Sequence, residues 1–176
     1  MSKIEDIQKK YQSLNIFQKD LVKLLALIDS PENKTKILQV CLKAKLKAGN
    51  KQSYNVINIG QGLEFLRSIH LVKKNLDQKY QIHPDVYHFT VQQAIADKRL
   101  KVLRKTVTTI FPGLKNPYQA YRYPNELIRD ASFALYNNDY STFQLAVKTL
   151  QKDSSFYIES LYKKLFIERY GINNIP

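Results

Sequence analysis

The lysines and arginines are the residues of this chain whose chemistry stands out, because two long stretches contain them without any acidic residue. The first stretch covers residues 33–63 and the second covers residues 98–125. Up to residue 115 the chain carries 21 lysines and arginines against 9 acidic residues, and beyond it 7 against 6. A positive charge partitioned in this way favours a polyanionic partner, with a basic surface that has no partner as the alternative.

The sequence contains no motif in which residues that support catalysis or metal binding have the required spacing. His83 and His88 lie five positions apart, so a helix would point them in different directions, and no cysteine or carboxylate cluster has the spacing of metal ligands. The pair Gly60 and Gly62 lacks the third glycine of a dinucleotide-binding loop, and no Gly-x-Ser-x-Gly nucleophile motif occurs. The chain is therefore predicted to be no enzyme and to need no cofactor or metal.

Apolar runs and cysteine content indicate the compartment. The longest uninterrupted apolar run extends from Leu24 to Ile28, far short of the roughly 20 residues of a membrane-spanning helix. The chain begins with charged and polar residues, unlike a secretory signal. The single cysteine, Cys41, lies on the apolar side of a predicted helix, so a buried thiol is expected. We expect a cytoplasmic or nuclear protein that is not secreted and has no membrane partner.

Hydrophobic spacing predicts three helices and then a β-hairpin in the basic part of the chain. The helices cover residues 17–28, 33–48 and 53–70, with Asn33 as a candidate cap, and Leu42 and Val56 are expected to face inward. Each glycine in the third helix costs about 1 kcal/mol, so a strand at 54–59 before a helix at 61–70 is the alternative. Residues 71–74 and 79–82 are the expected strands, and one long or kinked helix is expected from Asp85 up to Phe111.

Prolines at positions 112, 117 and 124 mark the clearest boundary in the chain. The predicted organisation is a basic domain with its trailing helix at 1–112, a Pro/Tyr-rich connector at 113–124 and a helical bundle at 125–176. Two helices joined by a turn at 137–139 and a third helix at 154–170 make up the bundle. The third helix is richer in large apolar groups than one face can easily bury. We therefore expect these helices to mediate docking, as a homodimer or in a larger complex.

The order helix, helix, helix, strand, turn, strand, helix over about residues 17–100 resembles the winged-helix superfamily of helix-turn-helix DNA-binding domains. The stretch from Gly62 to Val72 looks like the end of a recognition helix that leads into the first wing strand, with the wing from Lys73 to Ile82. The expected fold class is mainly α, a winged-helix-like domain with a small β-hairpin wing followed by a C-terminal helical bundle. The resemblance implies that the start of the third helix enters the major groove, while the second helix and the wing meet phosphates.

The resemblance also implies which side chains contact nucleic acid, with double-stranded DNA favoured. The candidates on and just before the third helix are Gln52, Ser53, Asn55, Asn58 and Arg67. The candidates for phosphate contacts from the second helix, the loop after it and the wing are Lys36, Lys43, Lys47, Lys51, Lys73, Lys74 and Lys79. The leading hypothesis is a DNA-binding protein, with transcription regulation as a role that would fit. The alternative is a non-catalytic protein-interaction domain, or a fragment, of a larger nucleic-acid-processing machine.

Overall fold

The structure, a computed structural model, describes residues 3–46, 54–111 and 124–152. Within these ranges the chain forms eight helices and one two-stranded antiparallel sheet. The chain divides into two compact units, Met1–Ile110 (unit 1) and Phe111–Pro176 (unit 2). The expectation of a mainly helical fold with a small hairpin is confirmed.

The described part of unit 1 carries six helices and both strands. They are α1 (Lys3–Gln12), α2 (Ile16–Ile28), α3 (Lys34–Lys43), α4 (Val56–Ser68), β1 (Val72–Lys74), β2 (Tyr80–Ile82), α5 (Pro84–Ala96) and α6 (Leu100–Ile110). The described part of unit 2 carries α7 (Pro124–Tyr136) and α8 (Tyr140–Gln151). None of these helices is both long and apolar enough to cross a membrane.

Helix α2 is the element around which unit 1 is built. It starts at a capping box, in which the Asn15 side chain accepts from the Gln18 backbone N–H and the Gln18 side chain accepts from that of Asn15. It ends where Asp29 adopts the left-handed conformation, with a φ of 56°. Every residue from Asp20 to Ile28 is buried. Helices α3, α4, α5 and α6 and strand β2 all pack against α2, so the core of unit 1 surrounds this helix.

Two of the buried residues of α2 are charged, and each has a partner at the junction between α5 and α6. Arg99 donates to the Asp20 carboxylate at 2.6 Å, and the Lys23 ammonium donates to the Asp97 carboxylate. A buried charge without a partner costs several kcal/mol, so these residues can occupy an enclosed helix only when both pairs form. The pairs therefore hold the α5–α6 junction against α2.

Helix α4 contains Gly60 and Gly62, the two glycines for which the sequence left a helix and a strand as alternatives. The segment from Val56 to Ser68 is a continuous helix. Its first turn is capped by Asn55, whose side-chain oxygen accepts from the Asn58 backbone N–H at 2.9 Å. A Cβ at Gly62 would lie 2.8 Å from Leu21 Cδ1 and 2.9 Å from Phe17 Cε1. Glycine is therefore required for the close approach of α4 to α2. The predicted helix is confirmed with a start at Val56, and the alternative strand at 54–59 is wrong.

The hairpin forms as predicted and gains a third partner. Strands β1 and β2 pair antiparallel, with Val72 opposite Ile82 and Lys74 opposite Tyr80. On the other edge of β2, Glu32 and Tyr80 exchange two backbone hydrogen bonds of 2.9 and 2.8 Å. The segment between α2 and α3 therefore extends the hairpin by one bridge, which ties the hairpin to the helical core.

Two helix predictions were wrong in extent because a residue in the left-handed conformation interrupts each helix. Helix α3 ends at Lys43 rather than at residue 48, and Lys45 has a φ of 52°. The long helix expected from residue 85 is two helices, α5 and α6, separated where Lys98 has a φ of 55°. Sequence spacing missed α1 altogether, since only Ile7 and Tyr11 of that charged helix are buried.

Unit 2 contains the predicted helix pair. Helices α7 and α8 pack together, and their shared core is formed by Leu127, Ile128, Ala131, Ala146 and Leu150. Asp139 caps α8 by accepting from the Thr142 backbone N–H at 3.1 Å. Arg129 is fully buried and donates to the Phe111 carbonyl at 2.6 Å and to Asp130 at 3.0 Å. The predicted third helix at 154–170 lies outside the described residues.

The two glycines of α4 allow a matched test of this packing. Gly62→Ala should lower the free energy of unfolding by about 1–2 kcal/mol, because overpacking against Leu21 and Phe17 outweighs the gain in helix propensity. Gly60→Ala meets only the flexible end of Lys34, at 3.2 Å, so it should leave stability unchanged or raise it by up to about 1 kcal/mol. Urea unfolding followed by circular dichroism measures both values. Equal effects of the two substitutions would contradict the close approach at Gly62.

Candidate nucleic-acid interface

The predicted contact residues lie on three elements of unit 1. Those within the described residues are Lys36 and Lys43 on α3, Asn55, Asn58 and Arg67 on α4 or at its cap, and Lys73, Lys74 and Lys79 on the hairpin. Lys47, Lys51, Gln52 and Ser53 lie outside the described residues. Helix α3 packs against α4, and α4 packs against β1, so the three elements are neighbours in the fold.

The first turn of α4 has less capacity for base recognition than its polar residues suggest. Paired contacts to adenine use both the oxygen and the nitrogen of an asparagine amide. The Asn55 oxygen already accepts from the Asn58 backbone N–H, and loss of a cap costs about 1 kcal/mol. Asn58 itself is half-buried. Paired base recognition by Asn55 would therefore compete with the start of the helix.

The centre of the α4–hairpin contact is Glu64, which sequence reasoning did not single out. Its Oε1 accepts from the Tyr80 hydroxyl at 2.5 Å and from Lys74 Nζ at 3.0 Å, and its Oε2 accepts from Arg67 Nε at 2.8 Å. The Tyr80 side chain is fully buried, and Lys74 Nζ also lies 5.3 Å from the centre of its ring. Glu64 thus links the middle of α4 to both strands.

The hydrogen-bond donors around Glu64 favour its ionised form. Hydrogen bonds from Tyr80, then Arg67 and Lys74, lower the pKa of the Glu64 carboxyl to about 2. The hydrogen bond to Glu64 in turn raises the pKa of Lys74. At neutral pH the Glu64 carboxylate and the Lys74 ammonium are therefore both charged, and the one carboxylate is shared by Arg67 and Lys74. Two of the predicted nucleic-acid contacts, Arg67 on α4 and Lys74 on the hairpin, are thus partly neutralised within the fold.

Among the predicted contact residues, the lysines least engaged by the fold lie at the end of α3 and on the hairpin. Lys43 and Lys73 are exposed, and no ion pair is found for either of them among the described residues. Lys36 differs, since it lies 3.7 Å from Glu32. Lys79 is half-buried beside the hairpin turn, where its backbone N–H donates to the Asn75 side chain. Lys43 and Lys73 are the clearest candidates for phosphate contacts.

Three apolar side chains of α4 are exposed, which the sequence prediction did not foresee. Ile57 is 70% exposed, and Val56 and Phe65 are each 44% exposed. The expectation that Val56 faces inward is therefore wrong, and the same holds for Leu42 on α3, which is 51% exposed. Helix α4 buries Ile59, Leu63 and Leu66 together with Gly60 and Gly62, and Val56 in the first turn lies outside this buried face.

The single cysteine is placed as predicted. Cys41 is fully buried on α3, and burial raises the pKa of its thiol to about 12. The thiol is therefore protonated at neutral pH and acts as a small apolar group of the core.

Comparison of the chain with models of protein families, with curated protein sequences and with solved structures found no match in any of the three.

The Glu64 contact makes a prediction about stability and pH. The pKa of Glu64 is lower in the folded chain than its ordinary value of 4.5, so the carboxylate stabilises the fold above about pH 4.5 and loses this effect as the pH falls toward 2. Since the carboxylate is partly exposed, Glu64→Gln should cost about 1 kcal/mol at pH 7. This difference from the native chain should shrink to near zero by pH 2.

Urea unfolding at a series of pH values measures this difference. Tyr80→Phe is the matched control, because it removes one donor to Glu64 and keeps the carboxylate with its two cations, so part of the pH dependence should remain. A Glu64→Gln chain as stable as the native one from pH 7 to pH 3 would show that the hydrogen bonds to Glu64 contribute nothing to the fold.

Proposed function

We propose that unit 1 is a winged-helix-like module that binds nucleic acid, with duplex DNA favoured. The observation that carries the proposal is the exposure of Lys43 at the end of α3 and of Lys73 on the hairpin, since α3 and the hairpin strand β1 both pack against α4. The element order α2, α3, α4, β1, β2, α5 is the order on which the winged-helix resemblance rests, and the bridge from Glu32 to β2 ties the hairpin to the helices.

The side chains favour binding to phosphates over reading of bases. The outward face of α4 places the apolar Ile57 and Phe65 on either side of the exposed Gln61, and the Asn55 oxygen caps the helix. Lysines, by contrast, contact phosphates as flexible point charges and carry little sequence information. We therefore propose binding that depends strongly on salt and weakly on sequence.

Unit 2 has a separate proposed role in docking to a second copy or to a larger complex. Tyr140 and Leu145 on α8 are 63% and 54% exposed, which supports an apolar contact through this helix. A cytoplasmic or nuclear setting is proposed for the whole chain, supported by its one buried thiol.

Fluorescence anisotropy with labelled duplex DNA, single-stranded DNA and RNA at several salt concentrations tests the proposed function. The native chain should bind at low salt with micromolar or tighter affinity, and most tightly to the duplex. Reversal of both charges in Lys43→Glu with Lys73→Glu should weaken duplex binding roughly tenfold, and should reduce the salt slope by about 2 because each lost phosphate contact removes about 0.9.

The matched control is Lys148→Glu with Lys152→Glu, which makes the same change in net charge on exposed residues of unit 2. This control should lose much less affinity. No binding by the native chain at low salt would overturn the proposal, and equal losses in both double variants would show that net charge, rather than this surface, determines binding.

A protein-docking module is the second candidate, and the exposed apolar face of α4 favours it. Ile57→Lys separates the two functions, since Ile57 is 70% exposed and its replacement should not disturb the core. If α4 lies in a DNA groove, the new cation should tighten duplex binding about threefold or more and steepen the salt slope. If α4 faces a protein partner, duplex binding in the same anisotropy assay should stay unchanged.

A further inference from the structure

Helix α6 presents a basic outward face that was not among the predicted contact residues. Lys101, Lys105 and Thr109 are exposed at helical spacing, whereas Leu103 and Val107 on the opposite side are fully buried. Lys98, just before the helix, is exposed as well. The helix contains no acidic residue. Its lysines therefore lie on one side of a helix whose apolar side is committed to the core.

Two acidic residues near the start of α6 are engaged in ion pairs. Asp97, which precedes α6, accepts from Lys23, and Asp20 of α2 accepts from Arg99. These pairs reduce the capacity of either carboxylate to neutralise Lys98 or Lys101. Lys101 also lies in the first turn of α6, where the helix dipole disfavours a positive charge. Departures from such local rules are expected where a surface has a function.

The fold brings the two acid-free stretches of the sequence into contact. Helix α3 comes from the first stretch and α6 from the second, and the two helices pack against each other. Neither helix contributes an acidic side chain. The two helices are separated in the chain by 56 residues, from Ala44 to Arg99, so the sequence alone does not show that they are close.

A hydrophilic polyanion fits this face better than a membrane does. A helix that lies in a membrane surface inserts a broad apolar side. The apolar side of α6 is buried in unit 1, and Val102, at 62% exposure, is its one strongly exposed apolar residue. Lys101 and Lys105 are one turn apart, or about 6 Å, which places two cations in a row along the helix. The regularly spaced phosphates of a nucleic-acid backbone can pair with such a row of cations.

We propose that the outward face of α6, with Lys98, Lys101 and Lys105, binds the sugar–phosphate backbone of the nucleic acid that unit 1 binds. This inference rests on the proposed function. It extends the proposed nucleic-acid-binding surface of unit 1 from α3, α4 and the hairpin to α6. The contact is to phosphates alone, so it adds affinity and salt dependence without sequence preference.

Anisotropy with the full chain and duplex DNA tests the role of α6. Lys101→Glu with Lys105→Glu should weaken binding roughly tenfold and reduce the salt slope by about 2, as expected for two lost phosphate contacts. Lys101→Gln with Lys105→Gln should give the same change in slope with a smaller loss of affinity, because it removes charge without adding repulsion. Both variants change exposed side chains only, and circular dichroism melting curves should match that of the native chain.

The control is again Lys148→Glu with Lys152→Glu. If the α6 variants bind like this control while the Lys43/Lys73 variant loses affinity, the α6 inference is wrong and the proposed function stands. If the native chain binds no nucleic acid, the proposed function fails first. Binding of the native chain to phosphatidylserine vesicles but not to DNA, abolished in the α6 variants, would overturn the inference in favour of a membrane surface.

Discussion

The enclosure of α2 is the constraint on which the rest of unit 1 depends. Four helices and one strand pack around it, and nine successive residues of the helix are removed from solvent. A helix buried on all sides cannot leave its charged residues unpaired, so Asp20 and Lys23 need Arg99 and Asp97. Because those partners lie between α5 and α6, the two pairs also hold the start of α6 against α2.

The same packing determines what α4 can present to a partner. Gly62 lets α4 approach α2 closely, and Glu64 connects the other side of the helix to Lys74 and Tyr80 of the hairpin. The positive charges of Arg67 and Lys74 are then partly used to hold the fold together. What remains outward on α4 includes the apolar side chains of Val56, Ile57 and Phe65. The helix expected to read DNA is thus positioned rigidly but carries less free charge than the elements beside it.

The positive charge of the chain therefore has two uses in unit 1. Lys23, Arg99, Arg67 and Lys74 form internal pairs, whereas Lys43, Lys73, Lys101 and Lys105 are exposed. The pairs of Lys23 and Arg99, each with one buried partner, lose little strength in salt. The more exposed pair of Arg67 and Glu64 and the contacts of exposed lysines to phosphates are screened. A basic composition alone does not distinguish the two sets, because a lysine in an ion pair and a lysine in water look the same in a sequence.

Local signals in the sequence were sufficient for most of the elements. Asn33 and Asp139 cap helices, and the hairpin and the helix pair of unit 2 follow from alternation, turn residues and helical spacing. These features depend on neighbours within a few positions. Residues far apart in the chain decided the rest. The approach of α4 to Leu21 and Phe17, the contacts of Glu64 with Tyr80 and the packing of α3 on α6 are long-range. Such contacts follow from the way complete elements pack, so the sequence alone determined where helices and charges occur, and the tertiary structure decided which charges reach the surface.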